Sequence, residues 1–432
     1  MTTPRRDRGT TGRGCAISAL SALAAAVALW FALRAATYGG IYRGAAAVLD
    51  AFRSPLWLAA VLLLAAAVSL WLFVSRERGT ARPPRLAPDV HLRAEPEGSL
   101  TVVVAEGRHA AAADIVVPRD PAAEREIRER FAGLAARAAA FGEGRTTAPR
   151  GDTAAELRAL GRALAERVLG GTGGAAGRIA DLSGDHLQLR IQGELAGLPW
   201  EHLVPRPDGF PLWRLFHLSR QLRGAGARTR PAAPPARPLR VLLVSGGGDD
   251  GAGGLPFAER EATTILETAA RRPDVMRVTR KSPQTADELI TLLYGPFDIL
   301  HFAGHAVETG EGRAWVLPGG ERAPMSRFTS TPPPWLVFAN ACGTAGDSSS
   351  HDVDETARLI LSWGAGAYIG TLWDVDDGGA EIFARAFYDG LARGLTLAAA
   401  VTSAREAVLP DHALSSANYV LYGDPTDKLA EP

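Results

Sequence analysis

Two stretches of the chain end apolar runs on a reactive side chain set among small residues. One is Asp298-Ile-Leu-His-Phe-Ala-Gly-His305-Ala306, the other Trp335-Leu-Val-Phe-Ala-Asn-Ala-Cys342-Gly-Thr-Ala345. A cysteine beside a histidine is a nucleophile with its proton acceptor. A free thiol has a pKa of about 8.5 and is only a few per cent thiolate at neutral pH, yet the thiolate does the attacking. A nearby imidazole takes the thiol proton and later gives one to a leaving amine. Gly304, Ala341 and Gly343 leave room for a peptide to approach the backbone, and the amides of Ala306 and Cys342 are candidate oxyanion donors. Against this, cysteine is among the most buried residue types, and a lone strand-end Cys or His is commonly core. The pattern alone leaves both readings open.

Both stretches open on β-branched or aromatic residues and close on Gly and Ala, as buried parallel strands do where they break into loops. In an open α/β sheet, ligands gather at the carboxyl ends of the strands. If the two strands are neighbours, His305 and Cys342 face each other across that edge.

Other chemistries fit less well. His301 and His305 are four apart, but the zinc-peptidase pattern needs that spacing on a helix with an intervening Glu, and here the stretch reads as strand into loop. His301 reads as a structural partner within the sheet. The serine-hydrolase elbow G-x-S-x-G is missing. A glycine-rich loop, 246–254, follows the apolar run Leu239–Ser245, but it has neither the Gly-Lys-Ser/Thr ending nor the spacing of a phosphate-binding loop. No metal and no cofactor are expected.

The segments LHFAGHA and FANACGTA resemble the His and Cys motifs of the CHAT-domain cysteine peptidases, a family of the caspase and separase clan. Further landmarks of that family follow in order. Leu198-Pro-Trp-Glu-His-Leu203 resembles one, and Leu255-Pro-Phe-Ala-Glu-Arg-Glu261 a helix start. The run Gly364 to Asp377 resembles the strand and loop after the nucleophile; Ala384–Leu391 and Tyr419–Pro425 resemble the closing helix and strand. The likeness spans roughly residues 150–425. It implies His305 as general acid and base, Cys342 as nucleophile, and acyl transfer through a thioester on a protein substrate. It also implies an α/β fold of caspase-like type, with a mostly parallel sheet flanked by helices. One departure stands beside the histidine, where Ala306 replaces the family's usual Gly. Alanine keeps the amide unless the position needs positive φ.

The resemblance also bears on specificity. Caspase-like enzymes use the loop holding Asp249 and Asp250 to contact the residue before the cut bond. Separase-like relatives bind a basic side chain through an acidic residue near Asp374, Asp376, Asp377 and Glu381. Cleavage after Arg or Lys is the expectation, although charge at a helix N-terminus explains the second group equally well.

The chain has 432 residues, enough for two or more units. Its 47 basic and 47 acidic residues balance, which argues against a general nucleic-acid binder. With Cys15 and Cys342 as the only cysteines, there is no disulfide framework, and a reducing compartment is expected for Cys342.

A basic tail, 1–14, precedes two apolar runs at 15–34 and 55–74, each about 20 residues and so about 30 Å as helix, the thickness of a bilayer core. They read as a transmembrane hairpin. Arginines flank both outer ends more heavily than the loop between, which sets both termini on the cytoplasmic side of an inner membrane. A Pro- and Arg-rich linker (76–90) leads to a mixed α/β region (91–230) that resembles the supporting half of caspase-like proteins. A second linker (231–238) and a catalytic unit (239–432) complete the order.

The expected protein is a membrane-anchored, cytosol-facing cysteine endopeptidase. Relatives often act as effectors in bacterial death or antiphage signalling, so a separate sensor or activator protein is the expected partner. The alternative is a catalytically silent scaffold that recruits partners to the membrane, with Cys342 as packing.

Overall fold

The apolar runs that stand out in the sequence become the middle strands of one sheet. A computed structural model describes residues 88–105, 113–142, 153–222, 235–247, 255–343, 351–372 and 377–429. The two runs expected to form a membrane hairpin lie outside these residues. Among the described residues, no helix is long and apolar enough to cross a membrane.

The strands are β1 (Asp89–Ala94), β2 (Ser99–Ala105), β3 (Ala113–Pro118), β4 (His186–Ile191), β5 (His217–Gln221), β6 (Leu239–Ser245) and β7 (Met276–Lys281). After them come β8 (Ile299–Thr309), β9 (Gly312–Val316), β10 (Arg322–Pro324), β11 (Leu336–Gly343), β12 (Ala367–Thr371) and β13 (Tyr419–Tyr422). The α-helices are α1 (Pro121–Gly142), α2 (Thr153–Ala163), α3 (Ala175–Ala180), α4 (Leu212–Leu215) and α5 (Pro256–Arg271). The rest are α6 (Ala286–Leu293), α7 (His351–Trp363), α8 (Asp377–Ala392), α9 (Leu397–Val408) and α10 (Ala413–Asn418).

Strand order across the described sheet is β10-β9-β8-β11-β12-β13-β5-β4-β1-β2-β3, with β6 and β7 joined to the first half of β8. The run β7-β6-β8-β11-β12 is parallel throughout. Antiparallel β13 closes it and then pairs in parallel with β5, so the strands of 89–221 and those of 239–422 share one sheet. Strands buried on both faces are largely apolar, which is why β6 and β11 read as apolar runs interrupted by Arg240 in one and Asn340 in the other.

The two faces have separate cores. Leu239, Val241, Leu243, Leu336 and Phe338 meet Ala262, Ile265, Phe383, Phe387 and Val401 on the α5, α8 and α9 side. On the other side Val244, Leu300, Phe302 and Val337 meet Leu289, Val353, Ala357 and Ile360. Helix α5 shows how the sequence builds such a cover. Pro256 sits in its first turn, where a missing N–H costs nothing, and Ala258, Ala262, Ile265 and Ala269 recur at helical spacing to make the buried stripe. At α6, Thr285 accepts from the Glu288 amide at 3.2 Å while Glu288 accepts from the Gln284 amide at 2.7 Å.

Two elements differ from the sequence expectation. The histidine strand does not break at Gly304 but runs on to Thr309, because its far half pairs antiparallel with β9. The sequence 346–355 reads as a polar loop leading into a helix over 356–363 capped by Asp354, yet the helix begins at His351, since Val353 extends the buried stripe of Ala357 and Ile360 by one turn. Asp354 therefore lies inside α7, where a capping role was expected.

Candidate active site

Strands β8 and β11 are neighbours in parallel register, and the register pairs Cys342 with His305 and Gly343 with Ala306. Both positions lie past the point where β6 leaves β8, since the β6 register ends with Ser245 opposite Ala303. From Ala306 onward β9 takes the side of β8 that β6 has left, and the chain at Gly246 and Gly247 passes between the two. The Gly246 amide donates to the Ala303 carbonyl at 2.7 Å and the Gly247 amide to the Val316 carbonyl at 3.0 Å.

The crossing explains the glycines. A Cβ on Gly304 would stand 2.8 Å from Gly246 Cα and 2.9 Å from Phe302 Cζ. Two backbones touch here, so Gly304 is required by close approach and does not mark a strand end.

His305 is half-buried, and its ring meets Phe257 edge-on at 5.9 Å. Phe257 lies at the start of α5, the helix that resembles the family's Leu-Pro landmark. Ala306 is 1% exposed, between Trp315 of β9 and Gly343 of β11. No described residue other than glycine has positive φ, so the alanine occupies backbone that alanine readily adopts.

Of the acidic specificity candidates, Asp249, Asp250, Asp374 and Asp376 lie outside the described residues. Asp377 opens α8. Glu381, one turn on, is half-buried and accepts from Thr264 Oγ1 of α5 at 3.0 Å.

Sequence reasoning assigned no role to the carboxylate beneath this site. Glu261 is wholly buried, and its Oε1 meets His301 Nε2 at 2.9 Å and accepts from Asn340 Nδ2 at 2.6 Å. His301 Nδ1 meets the Tyr388 hydroxyl at 3.0 Å. The signal is present in the sequence, because Glu261 ends the helix-start landmark and His301 reads as a structural partner within the sheet. What could not be read was that α5 and α8 deliver their polar groups to the same spot.

A second buried cluster joins the strands before β6 to those after it. Arg220 of β5 donates to Glu201 Oε1 at 2.8 Å and Oε2 at 2.7 Å, and to the carbonyls of Ala196 and Leu198. Its Nη1 lies 3.8 Å from Asp354 Oδ1, which also accepts from the Tyr422 hydroxyl. Burial alone would raise the Glu201 carboxyl, but the Arg220 guanidinium holds it below the ordinary range. Burial, and then Asp354, drives the Tyr422 phenol well above its usual value. Glu201 is the acidic residue of the Pro-Trp-Glu landmark, so that motif is a buried ion-pair site.

A mixed α/β sheet, parallel at its centre, with helices on both faces and a Cys/His register just past the end of β6, has a caspase- and separase-like architecture. The profile of the family described as CHAT domain matches residues 154–424, well over half of the chain. The chain belongs to the CHAT domain family. Among solved structures, the Saccharomyces cerevisiae separase–securin complex at 3.0 Å is similar at 13% identity and a TM-score of 0.56, covering 83% of this chain and 31% of that one. The same complex at 2.6 Å gives 13% identity and 0.52, over 78% of this chain and 30% of that one. The chain therefore spans about a third of the separase it matches. The Arg-specific cysteine proteinase gingipain R, a Porphyromonas gingivalis protein, is similar at 12% identity and a TM-score of 0.42, over 65% of this chain and 76% of that one. A comparison with curated proteins finds no match.

Proposed function

We propose that this protein is a membrane-tethered cysteine endopeptidase working through His305 and Cys342. The register that sets these two residues opposite each other, at the edge where β6 departs, is the observation that carries the reading. In this reaction His305 takes the Cys342 proton and the thiolate attacks the peptide carbonyl, forming a C–S bond. Backbone amides of Cys342 and Ala306 hold the oxyanion. The imidazolium gives its proton to the leaving amine as the C–N bond breaks, and a thioester remains. Water activated by His305 then hydrolyses the thioester and frees the thiol.

The carboxylates of Asp249, Asp250, Asp374, Asp376, Asp377 and Glu381 support cleavage after Arg or Lys. The apolar runs 15–34 and 55–74 hold the domain at the cytoplasmic face of the inner membrane. As a family member it acts as a regulated effector in bacterial stress or antiphage signalling, switched by a separate sensor protein.

The test is to incubate the full chain and its Cys342→Ala variant with a diverse peptide library and read the cuts by mass spectrometry. Cuts absent from the variant are expected, clustered after Arg and Lys. Identical cuts by both proteins would remove Cys342 from the chemistry, and equal cutting after Ala or Asp would remove the acidic pocket. If neither cuts, even with an activator supplied, the silent-scaffold alternative takes over. Membrane tethering predicts that the chain sediments with membranes after carbonate extraction; release to the supernatant would overturn it.

A further inference from the structure

The Glu261 cluster sits two residues below Cys342 on β11 and four below His305 on β8, and none of it can reach a substrate. Glu261, His301 and Tyr388 are fully buried, and Asn340 is 3% exposed. Each member comes from a different element: α5, β8, α8 and β11. The proton order follows from the donors. Burial first, then the Glu261 charge, pushes the Tyr388 phenol well above its ordinary value, so it keeps its proton. That proton goes to His301 Nδ1, and His301 Nε2 must then carry the hydrogen donated to Glu261. The Asn340 amide donates to the same carboxylate oxygen. One oxygen of α5 thus holds a side chain from each of the two strands that bear His305 and Cys342. The His301 ring also lies against Phe338, its register partner on β11, at 4.5 Å between centroids.

We propose that Glu261 is a positioning residue for the thiol chemistry, clamping β8 to β11 so that His305 stays opposite Cys342. The inference rests on the peptidase reading. It adds that the two strands are held in register by a hydrogen-bond acceptor from beneath, in addition to their own ladder. Charge is not what the clamp requires, since a glutamine oxygen also has two lone pairs and can accept from both His301 and Asn340. A leucine can accept from neither, and would leave both donors buried without a partner.

The experiment measures the rate at which iodoacetamide alkylates Cys342 in the full chain carrying Cys15→Ser, so that one thiol is read and no substrate or activator is needed. His305→Ala sets the rate of an unassisted thiol. Glu261→Gln is expected to keep the parent rate within about threefold, and Glu261→Leu to fall roughly tenfold or more, to the His305→Ala level. Should Glu261→Leu fail to fold by circular dichroism, Asn340→Ser removes one strand's bond to the clamp and is expected to give an intermediate rate. A folded Glu261→Leu or Asn340→Ser protein that alkylates at the parent rate overturns the clamp and leaves the peptidase intact. A Glu261→Gln protein as slow as Glu261→Leu overturns the hydrogen-bond account. If His305→Ala alkylates as fast as the parent, the His305–Cys342 partnership itself fails, and the clamp with it.

Discussion

At the residue scale, two small side chains beside His305 do different work. Gly304 is fixed by contact, because its Cα touches the chain crossing from β6 and a methyl group there meets backbone that cannot turn aside. Gly304→Ala is expected to destabilise the fold by about 1–3 kcal/mol through overpacking and to lower any cleavage rate, read from the urea midpoint and from library cutting. An unchanged midpoint would show that the β6 crossing gives way. Ala306 is the reverse case. Its backbone is ordinary strand, so replacing it by the family's usual glycine adds freedom only to the unfolded chain. Ala306→Gly is expected to cost about 0.5–1 kcal/mol of stability with no gain in cleavage. A clear rise in cleavage would mean that the substituted amide needs a conformation alanine resists. Both residues were visible in the sequence as small neighbours of a histidine. Their different reasons were not, because one depends on a strand some sixty residues earlier.

At the scale of elements, the buried Arg220 pair joins the early strands to the helix after the nucleophile. Removing Arg220 leaves Glu201 and Asp354 buried without their cation. Arg220→Met is therefore expected to destabilise by about 3–5 kcal/mol in urea unfolding, with Arg220→Met/Glu201→Leu recovering part of the loss. If the double variant is no better than the single, Asp354 and the carbonyls of Ala196 and Leu198 carry the cost. The same strand shows where sequence reading ran out. Strands β6, β8 and β11 announce themselves by largely apolar runs, as sheet centres do. Strand β5 reads His-Leu-Ser-Arg-Gln and carries no such signal, because its Arg220 is made acceptable by a partner nineteen positions earlier. Likewise the polar run 346–355 reads as loop, yet α7 starts within it at His351 because its apolar stripe reaches back to Val353. Local pattern showed which strands are central; which polar residues could be buried depended on contacts made only in the fold.

At the scale of the whole molecule, buried titratable groups set how stability varies with pH, and they oppose one another. His202 is 5% exposed, and burial, then the Arg405 guanidinium, pushes its imidazole down from 6.5 to about 4. A folded value below the unfolded one means that the proton favours unfolding. This contribution is complete above pH 6.5 and is lost as pH falls toward about 4, amounting to about 3 kcal/mol. His186 and His217, edge-on at 5.2 Å and also lowered chiefly by burial, act with the same sign. Asp427 acts against them. Burial, then the Asp424 charge, pushes its carboxyl up from 3.8 to about 7, so its proton favours the folded state. That contribution is complete below pH 3.8 and is lost as pH rises through about 7. His202, with His186 and His217 acting in the same direction, opposes one half-buried carboxyl, so the protein is expected to lose stability as pH falls from 6.5 toward about 4. His202→Gln should flatten that fall and Asp427→Asn should steepen it, both read as the change of urea midpoint with pH rather than as its absolute value. A His202→Gln slope equal to the parent's would mean that water reaches the imidazole in the folded protein, beside its contact with the Ala417 carbonyl, and that it titrates as it does in the open chain.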